Sequence, residues 1–227
     1  MWLRLARLCD TTLGMFFSKK ESHSELSAPM IGLAQRLSIR LNGHAPRMIT
    51  FIAARPREGT STITRDYAEA LTAQTQQKVL IIDANPAPKK VRGSLDELGI
   101  VDALVGGQPA AEAVRNYSTN VSITRWVSKD ENRTAASQKI RDKYVWDTLL
   151  QAHDVILIDA PALQTSYDGV LLASQAKTAV VIVEAEKTPR GVVENLKETL
   201  QEAGAEIAGI VMNKRRFYIP KRVYKKL

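Results

Sequence analysis

Nine residues, Ala54-Arg55-Pro56-Arg57-Glu58-Gly59-Thr60-Ser61-Thr62, join an apolar run to a helical pattern. A phosphate loop of the form G-x-x-x-x-G-K-[ST] works at such a junction. Backbone N–H groups and a helix N-terminus cradle the phosphates, the lysine reaches the β- and γ-phosphates, and the hydroxyl meets magnesium. Gly59 stands at the second glycine and Ser61 at the hydroxyl, but Ala54 stands at the first glycine and Thr60 at the lysine. Alone, the stretch reads equally well as the capped start of a helix in any α/β protein. Two other positions weigh against that plainer reading. Asp83 closes the run Val-Leu-Ile-Ile-Asp and Asp159 closes Val-Ile-Leu-Ile-Asp. This is the form of a Walker B strand, whose carboxylate helps hold magnesium. One Asp after a strand is ordinarily a turn starter. Two of them beside a degenerate phosphate loop are less easily set aside, and if the site takes ATP or ADP, Ser61, Asp83 and Asp159 are the groups that would hold its Mg2+. Asn213 ends a further apolar run, Gly-Ile-Val-Met-Asn.

These groups need a frame that delivers them to one place. Short runs that are apolar on both alternations are expected as strands at 48–53, 79–82, 121–126, 155–158, 179–183 and 207–212, buried on both faces. Helical patterns are expected at 30–41, ending at Asn42-Gly43, and at 61–74, 140–152 and 191–203, with a helical region over 100–117 broken at Gly106-Gly107. Alternation of the two implies βαβ units: a mostly parallel sheet flanked by helices, of α/β class. Ligands of such sheets lie beyond the carboxyl ends of the strands, where the groups above fall. The expected organisation is an N-terminal extension and linker over 1–29, a P-loop NTPase-like domain over 30–213, and a basic tail over 214–227.

A chain of 227 residues, 44% hydrophobic and 25% charged, suits one globular α/β domain. The single cysteine, Cys9, allows no internal disulfide. The net charge of +8 is concentrated at one end: residues 214–227 hold seven Lys and Arg and no acid, leaving 25 basic against 24 acidic residues elsewhere. Such an arm suits anionic lipid, an acidic partner or nucleic acid, or serves solubility alone. No run approaches the roughly 20 apolar residues of a spanning helix. Leu5, Leu8, Thr12, Met15 and Phe16 approximate helical spacing, as in an interfacial or docking helix. Three scattered histidines, His23, His44 and His153, and no credible Ser/His/Asp set leave little for a nucleotide-independent enzyme.

The collinear set resembles the MinD/ParA-like P-loop ATPases of the deviant-Walker type, and in particular the cytoplasmic domain of the bacterial tyrosine kinases of capsular and exopolysaccharide export. Pro56-Arg57-Glu58-Gly59-Thr60-Ser61 stands where that family has Pro-x-Glu-Gly-Lys-Ser, and Asp83-Ala84-Asn85 where its Walker A′ strand ends Asp-x-Asp. Residues 99–106 look like its G-L-x-D-x-L-x-G segment, 154–161 like its Walker B, Asp168 like a downstream Asp, and 209–213 like its closing G-x-V-x-N. The resemblance covers about residues 30–227. It implies that Pro56, Arg57, Glu58, Gly59, Thr60, Ser61, Thr62 and Asn213 bind nucleotide, Asn213 at the adenine. It implies that Asp83 and Asp159 are catalytic if the site is active, and that tail tyrosines, here Tyr218 and Tyr224, accept phosphate.

The departures matter as much. Thr60 replaces the lysine, Asn85 replaces a carboxylate, and 30–41 lacks the Glu-x-x-Arg-x-x-Arg pattern that supports ring assembly. Losing a cation at the β/γ-phosphates removes several kcal/mol of transition-state stabilisation. The expectation is therefore a kinase-like regulatory or accessory component of exopolysaccharide biosynthesis and export, a pseudokinase of weak or absent catalysis. It would sit at the inner face of the membrane beside a polysaccharide co-polymerase, with the tail toward anionic lipid, nucleic acid disfavoured and a homo-oligomer open. The alternatives are an active tyrosine autokinase of the same pathway and a partition or positioning ATPase.

Overall fold

The computed structural model describes residues 13–18, 28–40, 46–86, 98–128 and 130–215. Its frame is a sheet of eight strands: β1 (Leu13–Ser18), β2 (Met48–Ala53), β3 (Val79–Asp83), β4 (Arg115–Ser118), β5 (Val121–Arg125), β6 (Val155–Asp159), β7 (Thr178–Glu184) and β8 (Glu206–Arg215). They lie in the order β1-β8-β7-β2-β6-β3-β5-β4. All pairs are parallel except β4 with β5. The helices are α1 (Ala28–Arg40), α2 (Thr60–Thr75), α3 (Ile100–Val105), α4 (Arg133–Lys139), α5 (Lys143–Ala152), α6 (Asp168–Ala176) and α7 (Arg190–Glu202).

The β-branched runs supply both faces of the sheet, because successive strand residues point to opposite sides. Phe51, Val79, Ile81, Val155, Leu157, Val180 and Ile182 join Met30, Leu33 and Leu37 of α1 and Ile63, Tyr67 and Ala70 of α2 in one core layer. Ile52, Leu80, Ile82, Ile156, Ile158, Val181 and Val183 join the other, with Trp146 of α5, Leu172 of α6 and Leu196 of α7. There Trp126 and Trp146 stack with ring centroids 5.1 Å apart and planes 6° apart. Each indole N–H is satisfied, by the carbonyls of Ala136 and Ile140. In the α1/α2 layer the rings of Phe51 and Tyr67 meet at 5.3 Å, and burial pushes the Tyr67 phenol well above its ordinary pKa.

Topology sets the site. From β2 the chain runs through α2 on one face to β3; from the adjacent β6 it runs through α6 on the other face to β7. Helices leaving neighbouring strands in opposite directions open a crevice at the carboxyl ends of β2 and β6.

Four expectations need correction. Leu13–Ser18, within the stretch given helical spacing, is an edge strand beside β8; an edge offers backbone pairing that side-chain periodicity does not register. The helical region over 100–117 is only α3 followed by a short 3₁₀ turn, Ala110–Ala113, and Arg115–Ser118 pairs antiparallel with β5 across a two-residue turn. The helix placed at 140–152 begins at Lys143, because the Asp142 side chain accepts from the Tyr144 N–H and caps it. Helices α4 and α6 have no counterpart among the expected elements. The 42–43 helix end and residues 1–12 lie outside the described residues.

Candidate functional site

The phosphate-loop stretch leaves β2 and turns into α2 through two residues with positive φ, Arg57 at 67° and Gly59 at 102°. Gly59 is required there twice over. Its φ lies where side chains are rarely tolerated, and a Cβ on it would run into the carboxamide of Asn213. Gly59 gives α2 no side-chain cap, and the first turn of the helix holds no acid. The first-turn N–H groups of a helix have no intrahelical acceptors, so this end suits an anion.

The loop is held from the β7 and β8 side. Asn213, near the end of β8, donates from Nδ2 to the Glu58 carbonyl at 2.8 Å. Its Oδ1 accepts the Lys214 N–H at 2.8 Å. Glu58 is buried, and its carboxylate accepts from the Arg55 N–H at 3.2 Å and from the Thr188 hydroxyl. Lys214 Nζ donates to the Arg57 carbonyl and lies 3.2 Å from Glu184, which Lys187 also contacts at 2.6 Å. The Lys187 hydrogen bond holds the Glu184 carboxyl below its ordinary pKa against the opposing effect of partial burial, with the Lys214 hydrogen bond and the two lysine charges adding smaller lowering effects. Asn213, expected at the adenine, is thus built into the loop's scaffold. Of the loop residues, Pro56, Arg57 and Thr62 are exposed, while Thr60 and Ser61 are half-buried in the first turn of α2.

Across the crevice the sheet aligns the charged groups by register. Arg125 of β5 pairs with Asp83 of β3, and Asp83 pairs with Asp159 of β6. Asp159 is 2% exposed. Burial pushes its carboxyl up to about 6; the Ser61 hydrogen bond opposes this, the nearby Asp83 charge adds to it, and Asn85 and Arg65 oppose it in smaller measure. Its Oδ1 is buried with no hydrogen-bond partner. Asp83 Oδ1 accepts from the Asn85 N–H at 3.0 Å and from Asn85 Nδ2 at 3.2 Å. Arg125 Nη2 lies 3.7 Å from Asp83 Oδ2 and donates to the Asn85 carbonyl at 3.1 Å.

The residue set fits a magnesium ion. A buried carboxylate oxygen without a partner, a hydroxyl beside that carboxylate and a second carboxylate in register are oxygen donors of the kind the ion takes. Among the described residues no three His, Cys, Asp or Glu side chains converge as a metal cluster, so any cation here would lean on substrate oxygens as well.

The other motif residues make contacts between elements. Asp102 accepts from the Gly99 and Ser128 N–H groups and from Asn132, tying α3 to the loop after β5. Asp168 accepts from Ser137 and Ser166, joining α4 to the start of α6. Beside the crevice, Ala84, Trp126, Arg133, Pro161, Ser166 and Leu172 help line a cleft of about 150 Å³. Tyr218, Tyr224 and the tail from residue 216 lie outside the described residues. Arg125, Thr188 and Lys214 had no expected role at the site. Arg125 was within reach of the strand-end argument that found Asp83, Asp159 and Asn213; Thr188 lies in a loop and carries no motif.

No protein-family model matches the chain. Its relatives in sequence are named as bacterial tyrosine kinases and exopolysaccharide transport proteins, and it shares its fold with MinD-like P-loop ATPases. It is 27% identical over 188 residues to tyrosine-protein kinase CpsD of Streptococcus agalactiae, covering 80% of this chain and 81% of that protein. It is 25% identical to the succinoglycan biosynthesis transport protein ExoP of Rhizobium meliloti (strain 1021), covering 77% of this chain and 23% of that protein. Among solved structures, the chimerical protein CapA2B2 superposes with a TM-score of 0.75 at 21% identity, covering 89% of this chain and 94% of that one. The septum site-determining protein MinD of Pyrococcus horikoshii OT3, complexed with Mg-ADP, superposes with a TM-score of 0.60 at 22% identity over 79% and 76%. The fold is that of the P-loop NTPases of this group.

Proposed function

We propose that this chain is a nucleotide-binding, kinase-like accessory component of exopolysaccharide assembly, with weak or absent phosphoryl transfer. One observation carries the reading: the Ser61–Asp159 pair, with its partnerless buried oxygen, lies in the crevice that the phosphate-loop stretch borders. Residues 56–62 would hold ADP or ATP, and Ser61, Asp83 and Asp159 would hold Mg2+. When bound, the cation supplies charge neutralisation at the β- and γ-phosphates.

The rest falls to the chain itself. The Asn213, Thr188 and Lys214 contacts keep the loop open at its positive-φ turn, so binding meets a preformed cradle. Thr60 presents a hydroxyl where a lysine would deliver a cation, and transfer depends on charge stabilisation more than on covalent chemistry. The loop therefore keeps its shape and lacks its strongest phosphate partner.

The polysaccharide setting is supported by the name of the ExoP relative and by the family resemblance. The partner proposed is a membrane polysaccharide co-polymerase, with the basic tail against anionic lipid at the inner membrane face. Among the described residues no helix is long and apolar enough to cross a membrane. A second reading, active tyrosine autophosphorylation at Tyr218 and Tyr224, is favoured by the names of the kinase relatives. The deciding experiment is calorimetry of ADP and ATP with Mg2+ on the wild type and Asp159→Ala, followed by phosphotyrosine detection. Binding that Asp159→Ala weakens, without phosphotyrosine, supports the accessory reading. Phosphotyrosine lost in the double Tyr218→Phe/Tyr224→Phe variant supports the autokinase. No nucleotide binding by folded wild type overturns both.

A further inference from the structure

A crevice built to take a divalent cation on two carboxylates ordinarily leaves both charges for the ion. Here one of them is already engaged. Register places Arg125, Asp83 and Asp159 side by side at the carboxyl ends of β5, β3 and β6. The guanidinium does not reach out to solvent: its side chain is 16% exposed, Nη2 lies 3.7 Å from Asp83 Oδ2, and the same nitrogen donates to the Asn85 carbonyl at 3.1 Å. Its Nε is buried without a hydrogen-bond partner. A guanidinium with a donor left unsatisfied is costly in such a place unless its charge is answered, and Asp83 is the carboxylate that answers it. The next position of the Asp-x-Asn segment, where a second carboxylate would raise the negative charge, is the neutral Asn85, whose amide holds Asp83 Oδ1.

We propose that Arg125 is a built-in counterion of the Asp83/Asp159 pair. It is a positioning residue that holds Asp83 by charge and lowers the site's affinity for divalent cations. The consequence is a phosphate site whose occupancy depends little on Mg2+, because the protein's own cation already offsets one carboxylate. The inference rests on reading the crevice as a nucleotide and cation site, and its direct test needs no nucleotide.

That test is Mn2+ binding, followed by electron paramagnetic resonance, to the nucleotide-free full chain of the wild type, Arg125→Gln, Arg125→Lys and Asp83→Asn. A cation held this close to the carboxylates repels a divalent ion entering the same site, and near a protein surface that repulsion is worth about a ten-fold change in affinity or more. Arg125→Gln is expected to bind Mn2+ about ten-fold more tightly than wild type, and Arg125→Lys to stay near wild type. Asp83→Asn, which removes one carboxylate and leaves the Arg125 charge unanswered beside Asp159, is expected to bind Mn2+ about ten-fold more weakly than wild type. It also serves as the independent arm if Arg125→Gln does not fold. Equal Mn2+ affinity in wild type and Arg125→Gln overturns the proposal, and so does an Asp83→Asn variant that binds Mn2+ as tightly as wild type. ADP calorimetry on the wild type in EDTA and in Mg2+ separates the two readings. ADP binding at neither condition overturns the nucleotide reading, while the Mn2+ comparison still decides the role of Arg125.

Discussion

Replacing Asp159 by asparagine tests the electrostatics of the crevice most directly. Desolvation raises this carboxyl from 3.8 to about 6 in the folded chain, and at 2% exposure solvent does little to screen it. The folded pKa is above the unfolded one, so between those two values the native state binds more protons than the unfolded state. Stability from this group is therefore fully present below about pH 4 and is lost as pH rises through about 6. Two pKa units at roughly 1.4 kcal/mol each give a loss of about 3 kcal/mol. The carboxamide introduced by Asp159→Asn cannot ionise and keeps the shape of the side chain. In urea unfolding of nucleotide-free protein without divalent cations, the variant should gain on wild type by about 3 kcal/mol between pH 4 and pH 7.5. Added Mg2+ should narrow the gap at pH 7.5 by binding the ionised wild type alone. A gap that stays constant across this pH range, or one that shrinks as pH rises, refutes the claim that Asp159 is ionised at a desolvation cost.

Gly59→Ala forces a side chain onto φ 102° and into the Asn213 carboxamide; thermal unfolding should show a loss of at least about 2 kcal/mol, and calorimetry a loss of nucleotide binding. Thr188→Val removes the hydroxyl that donates to the buried Glu58 carboxylate; urea unfolding should show a cost of about 1–3 kcal/mol. Thr60→Lys restores a cation at the phosphate loop, and calorimetry should show about ten-fold tighter ADP or ATP binding; unchanged affinity would mean the loop is not a phosphate site.

Strand-forming runs that are apolar on both faces suit a buried parallel sheet, so β2, β3, β5, β6 and β7 were legible to within a residue at each end, while β8 runs on to Arg215, past the expected end at 212. For the same reason Asp83, Asp159 and Asn213 could be assigned to the carboxyl-terminal parts of their strands, because a charged or amide group ordinarily closes such an apolar run; that Asp159 stays buried there, at 2% exposure, was not legible. Gly59 was legible as a turn residue ahead of a hydroxyl-rich helix start. Local pattern also set where α1, α2 and α7 run to within a few residues, since their apolar positions recur at helical spacing.

Which strands are neighbours is another matter. Strand order depends on the packing of helices against both faces, and that order makes Arg125, Asp83 and Asp159 a row although they lie 42 and 76 positions apart in the chain. The same long-range packing brings Thr188 and Lys214 to the phosphate loop, more than a hundred residues from it. It also turns Arg115–Ser118 into an edge strand despite its exposed, polar composition, because pairing with β5 supplies backbone hydrogen bonds that side-chain pattern does not encode. Charge on a side chain is written in the sequence. Whether a neighbouring strand has already neutralised it, as Arg125 does for Asp83, is set only when the chain closes its sheet, because Coulomb energy depends on distance through space and on the water excluded between the charges.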